Sequence, residues 1–73
     1  MAKLDRIQKL GKNIAKVRYA KKLTQLQTSE LANVHLRHYQ KIERGIVSPS
    51  FTLLVDIRNA LRCPWEDLFK GVK

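Results

Sequence analysis

The chain has 73 residues, of which 44% are hydrophobic and 29% charged. That is enough apolar material for one small core and too little chain for a large enzyme fold such as a barrel of roughly 250 residues. Fifteen Lys and Arg against six Asp and Glu give a formal charge of +9. Most of it lies early: residues 1–50 hold eleven bases and three acids, and residues 51–73 hold four bases and three acids. A small domain needs only a few charges for solubility, so the excess points to a polyanion, nucleic acid before an anionic membrane surface. The single Cys63 cannot form an internal disulfide or a cysteine-rich zinc site and fits a reducing cytosol. The start, MAKLDRIQK, has no signal-peptide core. The longest uncharged stretch, Gly45 to Val55, is eleven residues, far short of the roughly 20 needed to span a bilayer. A soluble, cytoplasmic protein is expected.

Between the breakers Gly11, Gly45, Pro49, Pro64 and Gly71 the apolar spacing is helical. Leu4, Ile7, Leu10, Ile14 and Val17 form one stripe of a first helix over residues 3–21, weakened by Gly11. Thr24 is a good N-cap for a second helix, residues 25–32, and Asn33 tolerates the left-handed conformation that ends one. A third helix is predicted from His35 to Arg44, stopping at Gly45. Ser50 caps a fourth, from Phe51 to about Leu61. Pro64 at a first helical position, followed by Glu66 and Asp67, opens a fifth through Phe69. The second and third helices, with a tight turn between them, make a helix-turn-helix pattern at about residues 24–44.

LGKNIAKVRYAKKLTQ, NVHLRHYQKIERG and SPSFTLLVDIRNALRCPWEDLF, in that order, carry a resemblance. The chain resembles the Cro/cI-type helix-turn-helix family, also called the xenobiotic-response-element family, from about residue 10 to residue 69. Leu-Thr-Gln followed without a gap by Lys-Ile-Glu-Arg-Gly is the more specific part. The resemblance implies an all-α, five-helix, lambda-repressor-like domain, a single domain over residues 1–73, of a bacterial or phage-encoded transcriptional regulator. Some positions depart from the family: Thr28 and Ser29 stand where Leu and Ala are usual, Lys22 and Asn33 replace glycines, and Arg58 replaces a small residue. The core side of the second helix is therefore expected to be weaker or shifted, with Leu26 and Leu31 taking part.

On a helical wheel at about 100° per residue, with Leu36 at about 0°, Gln40 falls near 40°, Arg44 near 80°, Arg37 near 100° and Lys41 near 140°. His35, Tyr39 and Ile42 lie on the opposite side. Such a helix can enter a major groove while its back is held by the core. Arg37 suits guanine, Gln40 adenine, Lys41 guanine or phosphate, and Leu36 a thymine methyl; a polar helix face alone is as readily a solvated one, and it is the family resemblance that makes these four the expected base contacts. Thr24, Gln25, Arg44, Ser48 and Ser50 are the expected phosphate contacts, Gln25 at a helix N-terminus. The resemblance also implies an ion pair between Arg18 and Glu43, read as fixing the angle of the third helix.

His35 and His38 are too few ligands for a metal site, Cys63 reads as a buried inert thiol, and no catalytic set is evident. No enzyme activity, metal, cofactor, membrane or small-molecule partner is expected. The expected partners are double-stranded DNA and a second copy of the chain, since a lone helix-turn-helix reads few base pairs. Leu53, Trp65, Leu68 and Phe69 are the expected dimer interface, and the expected role is a repressor or controller at a (pseudo)palindromic operator. The alternative is an antitoxin-like interaction module that binds DNA secondarily.

Overall fold

The computed structural model describes residues 2–73. Its five helices follow the five apolar runs: α1 Lys3–Ala20, α2 Gln25–Leu31, α3 Leu36–Glu43, α4 Phe51–Leu61 and α5 Trp65–Phe69. No strand occurs among the described residues. Local chemistry sets the ends. Thr24 and Gln27 form a reciprocal capping box, with the Gln27 N–H on the Thr24 hydroxyl at 3.0 Å and the Thr24 N–H on the Gln27 side-chain oxygen at 2.9 Å. The Ser50 hydroxyl accepts from the Leu53 N–H at 3.2 Å. Gly45, with φ +74°, ends the α3 turn in the left-handed region where a side chain is disfavoured. Lys22 and Asn33 take that same conformation, at φ 59° and 55°, without being glycines.

Two ends differ from expectation. His35 is the N-cap of α3, and its ring Nδ1 accepts from the Arg37 N–H at 3.3 Å. Pro64 is likewise an N-cap, with extended backbone (ψ 155°), so α5 begins one residue later. Its missing N–H costs nothing there, because that donor has no helical partner in any case.

α1 packs against α3 on one side and α5 on another, while α2 packs against α3 and α4. The shared core holds Leu10, Ile14, Tyr39, Ile42, Leu54, Ile57, Leu61 and Leu68, with Cys63 at its edge. Burial pushes the Cys63 thiol up, as an inert core thiol requires.

The core side of α2 is not the one expected. Thr28 and Ser29 are fully buried, whereas Leu26 and Leu31 are 52% and 61% exposed. The reason is local hydrogen bonding. The Thr28 hydroxyl donates to the Thr24 carbonyl at 3.0 Å and the Ser29 hydroxyl to the Leu26 carbonyl at 2.8 Å. Each polar group is satisfied within its own helix, so small side chains can enter the core without a stranded donor.

Candidate nucleic-acid interface

Two devices fix α3 against α1. The first is steric. Gly11 lies where a Cβ would come within 2.5 Å of the Ile42 carbonyl oxygen and 2.6 Å of the Glu43 carbonyl oxygen. The two backbones therefore meet directly, and only glycine permits it.

The second device is polar. The Arg18 guanidinium makes a two-pronged bond to the Glu43 carboxylate, Nε–Oε2 at 2.7 Å and Nη2–Oε1 at 3.1 Å. A third donor, Nη1, reaches the Leu23 carbonyl at 2.9 Å, so one side chain ties α1 to both α3 and the approach to α2. Both side chains are more than nine-tenths buried, and fork-on-fork geometry of this kind gives direction as well as attraction. The Tyr39 hydroxyl also donates to Glu43, and Gln25 Nε2 donates to Glu43 Oε1 at 3.1 Å. Burial pushes the Glu43 carboxyl up, but the bonds from Arg18, Tyr39 and Gln25 outweigh it and hold the group below its ordinary range. Its hydrogen bond to Glu43, against the cost of burial, raises Arg18 further. The pair is charged at neutral pH.

With its back fixed in this way, α3 turns its other face outward. Arg37, Lys41 and Arg44 are exposed, and Leu36 and Gln40 are half-buried beside them. Arg37, Gln40, Lys41 and Arg44 line one open depression of about 290 Å³. Three of the four residues expected to touch bases, Arg37, Gln40 and Lys41, thus share a face with Arg44, while Leu36 does not line that depression; Tyr39 and Ile42 are buried behind the helix. Thr24, Ser48 and Ser50 are exposed; Thr24 and Ser50 serve as caps through their hydroxyl oxygens, and the Ser50 hydroxyl also pairs with that of Thr52 at 3.3 Å.

Gln25 is more engaged than a phosphate contact facing water would be. Besides its bond to Glu43, its oxygen accepts from Gln40 Nε2 at 3.2 Å. This link has no signature in the sequence, because Gln25 and Gln40 belong to different helices and their spacing carries no periodic signal.

The expected dimer surface needs one correction. Leu68 is 0% exposed and wholly used within the protomer's core. Leu53 and Trp65 are half-buried and Phe69 is 41% exposed. Trp65 stacks on Phe69 with ring centroids 5.8 Å apart and carries the Arg58 guanidinium 5.1 Å from its ring centre. Phe51, at the start of α4, is exposed and lies outside the expected set.

No His/Cys/Asp/Glu group able to hold a metal occurs among the described residues. No helix among them is long and apolar enough to cross a membrane.

A short tight-turned helix pair with a basic outward face is the architecture of a helix-turn-helix regulator. The chain belongs to the Cro/cI-type helix-turn-helix family: the family description HTH_3, helix-turn-helix, matches residues 14–68. The fold is similar to the crystal structure of the restriction-modification controller protein C.AhdI from Aeromonas hydrophila, with a TM-score of 0.82 and 25% sequence identity, covering 86% of this chain and 96% of that one. Comparison with curated protein sequences finds no match. Family and fold together make the chain a DNA-binding regulator of transcription.

Proposed function

We propose that the chain acts as a homodimeric repressor or controller that reads a (pseudo)palindromic operator, each protomer laying α3 in the major groove. The observation that carries this reading is the α3 face. Arg37, Gln40, Lys41 and Arg44 form one outward depression while a buried ion pair and a glycine contact hold the helix from behind. Leu36, Arg37, Gln40 and Lys41 contact bases, and Thr24, Arg44, Ser48 and Ser50 contact phosphates, to which Gln25 adds its helix terminus. The similarity to a restriction-modification controller supports a controller's role. The early excess of positive charge supports an electrostatic contribution that weakens with salt.

Leu53, Trp65 and Phe69 form the dimer contact. They are apolar and incompletely buried, in a part of the chain with little net charge to oppose a second copy. A two-fold contact uses the same patch on both partners and sets the two reading helices about one DNA turn apart, roughly 34 Å. Selection from random DNA is expected to return two related half-sites at that spacing. Sedimentation at micromolar concentration is expected to show a dimer for the wild type and a monomer for Leu53→Glu, with helix content unchanged. A wild-type chain that stays monomeric on its selected DNA overturns the dimeric reading.

A further inference from the structure

We propose that Glu43 sets the donor–acceptor sense in which Gln40 reads a base, and that it does so through Gln25, a positioning residue. The inference rests on the proposed base-reading role of α3 and deepens it.

Hydrogen-bond polarity carries the argument. An ionised carboxylate only accepts. Four bonds converge on Glu43 and every one comes in from a donor: two from Arg18, one from Tyr39 and one from Gln25. Gln25 must therefore turn its NH₂ toward Glu43, at 3.1 Å. Its amide has only one other end, and that carbonyl oxygen faces Gln40. It can be satisfied only by a donor, so Gln40 must turn its own NH₂ inward, at 3.2 Å. The sense fixed at a buried carboxylate is thereby passed through two amides to the outward face of α3.

A restricted reading edge follows for Gln40. One of its two N–H groups is held by Gln25. The other N–H and the carbonyl oxygen have no partner among the described residues. One donor beside one acceptor matches adenine, which offers N7 to accept and N6–H to donate. Guanine offers two acceptors, O6 and N7, and would need both Gln40 N–H groups at once. As long as Gln25 holds one of them, guanine can receive at most one bond from Gln40 and is disfavoured against adenine, which receives two. An unlinked glutamine at this position would rotate its amide freely and could serve either base.

The experiment measures base preference by selection from random DNA, followed by binding titrations on operators changed at single positions. Gln40→Ala identifies the base pair that Gln40 reads. Gln25→Met keeps the length and packing of the side chain and removes its polarity, and Gln25→Ala provides a second variant; circular dichroism checks the fold of both. A good bidentate contact discriminates between bases by about 5- to 150-fold. Both Gln25 variants are expected to lower the A·T over G·C preference at the Gln40 position roughly tenfold, chiefly by admitting G·C, and to leave preferences elsewhere unchanged. In a Gln40→Ala background the same Gln25 changes are expected to do nothing further at that position. If the Gln25 variants weaken every sequence evenly and leave the preference intact, Gln25 is a phosphate contact and the relay is wrong while base reading stands. If Gln40→Ala itself changes no preference, base reading by Gln40 fails and the relay fails with it.

Discussion

The half of the molecule that presents α3 and the half that closes the core are held by different balances of polar and apolar force. Around α2 and α3 the buried groups include Thr28, Ser29, the Arg18–Glu43 pair and the Tyr39 hydroxyl, each in a directed bond. Around α4 and α5 they are mainly apolar, Leu54, Ile57, Leu61, Cys63 and Leu68, with one buried polar tie, Asn13 of α1, whose amide donates to the Leu68 and Lys70 carbonyls at 2.7 and 2.8 Å. Apolar burial is strong but has no direction, so it can close a core without fixing the angle of any helix. Bidentate and carboxylate-centred bonds are directional. They occur behind the helix whose Arg37 and Gln40 are proposed to read bases, where a few degrees of rotation would re-aim both side chains.

The largest test of this division is the ion pair. Arg18→Ala leaves Glu43 buried without its main partner and is expected to cost about 3–5 kcal/mol, read from denaturant unfolding. Arg18→Met combined with Glu43→Leu removes both charges and is expected to recover most of that loss. Its DNA affinity should nevertheless stay well below wild type, because stability returns without orientation. Full recovery of binding in the double variant would erase the distinction between the halves. Acid probes the same pair. Glu43 has its pKa lowered from the ordinary 4.5 by folding. Its contribution is therefore complete above that ordinary value and is lost as pH falls through the lower folded value. Stability of the wild type should drop over that acid limb more than that of the double variant.

A smaller effect, with a more informative sign, is expected at Gly11. In an isolated helix Gly→Ala gains about 1 kcal/mol. Here the added Cβ would sit within 2.6 Å of two backbone carbonyl oxygens, which cannot swing aside as a side chain does. Gly11→Ala is expected to destabilise by about 1–3 kcal/mol through separation of α1 from α3. A stabilised variant would show that the α1–α3 seam is looser than the geometry indicates.

The same division explains what could be read in advance. Helix bounds followed from Thr24, Ser50 and Gly45, whose chemistry is local, and the outward face of α3 followed from its period. The core side of α2 did not, because counting apolar residues favours Leu26 and Leu31 over two hydroxyls that bury themselves by bonding to their own helix. Gly11 looked like a weak point in α1, since its purpose lies in a carbonyl more than thirty residues away. The arrangement of Gln25 between Glu43 and Gln40 joins three segments and has no period to betray it. Leu68 was placed on the outer surface because a five-residue helix is too short for its pattern to tell an inner side from an outer one.

The central claim is that the outward face of α3 reads sequence, and Arg37 tests it most directly. It is exposed, and its side chain makes no hydrogen bond among the described residues, so its truncation should leave the fold intact. Titration of wild type and Arg37→Ala against the selected operator and its single-base variants, at several salt concentrations, separates reading from simple attraction. The expected result is a loss of about 1–3 kcal/mol confined to one or two base pairs, with preference at the others retained. Unchanged affinity and unchanged preference in Arg37→Ala would contradict the account.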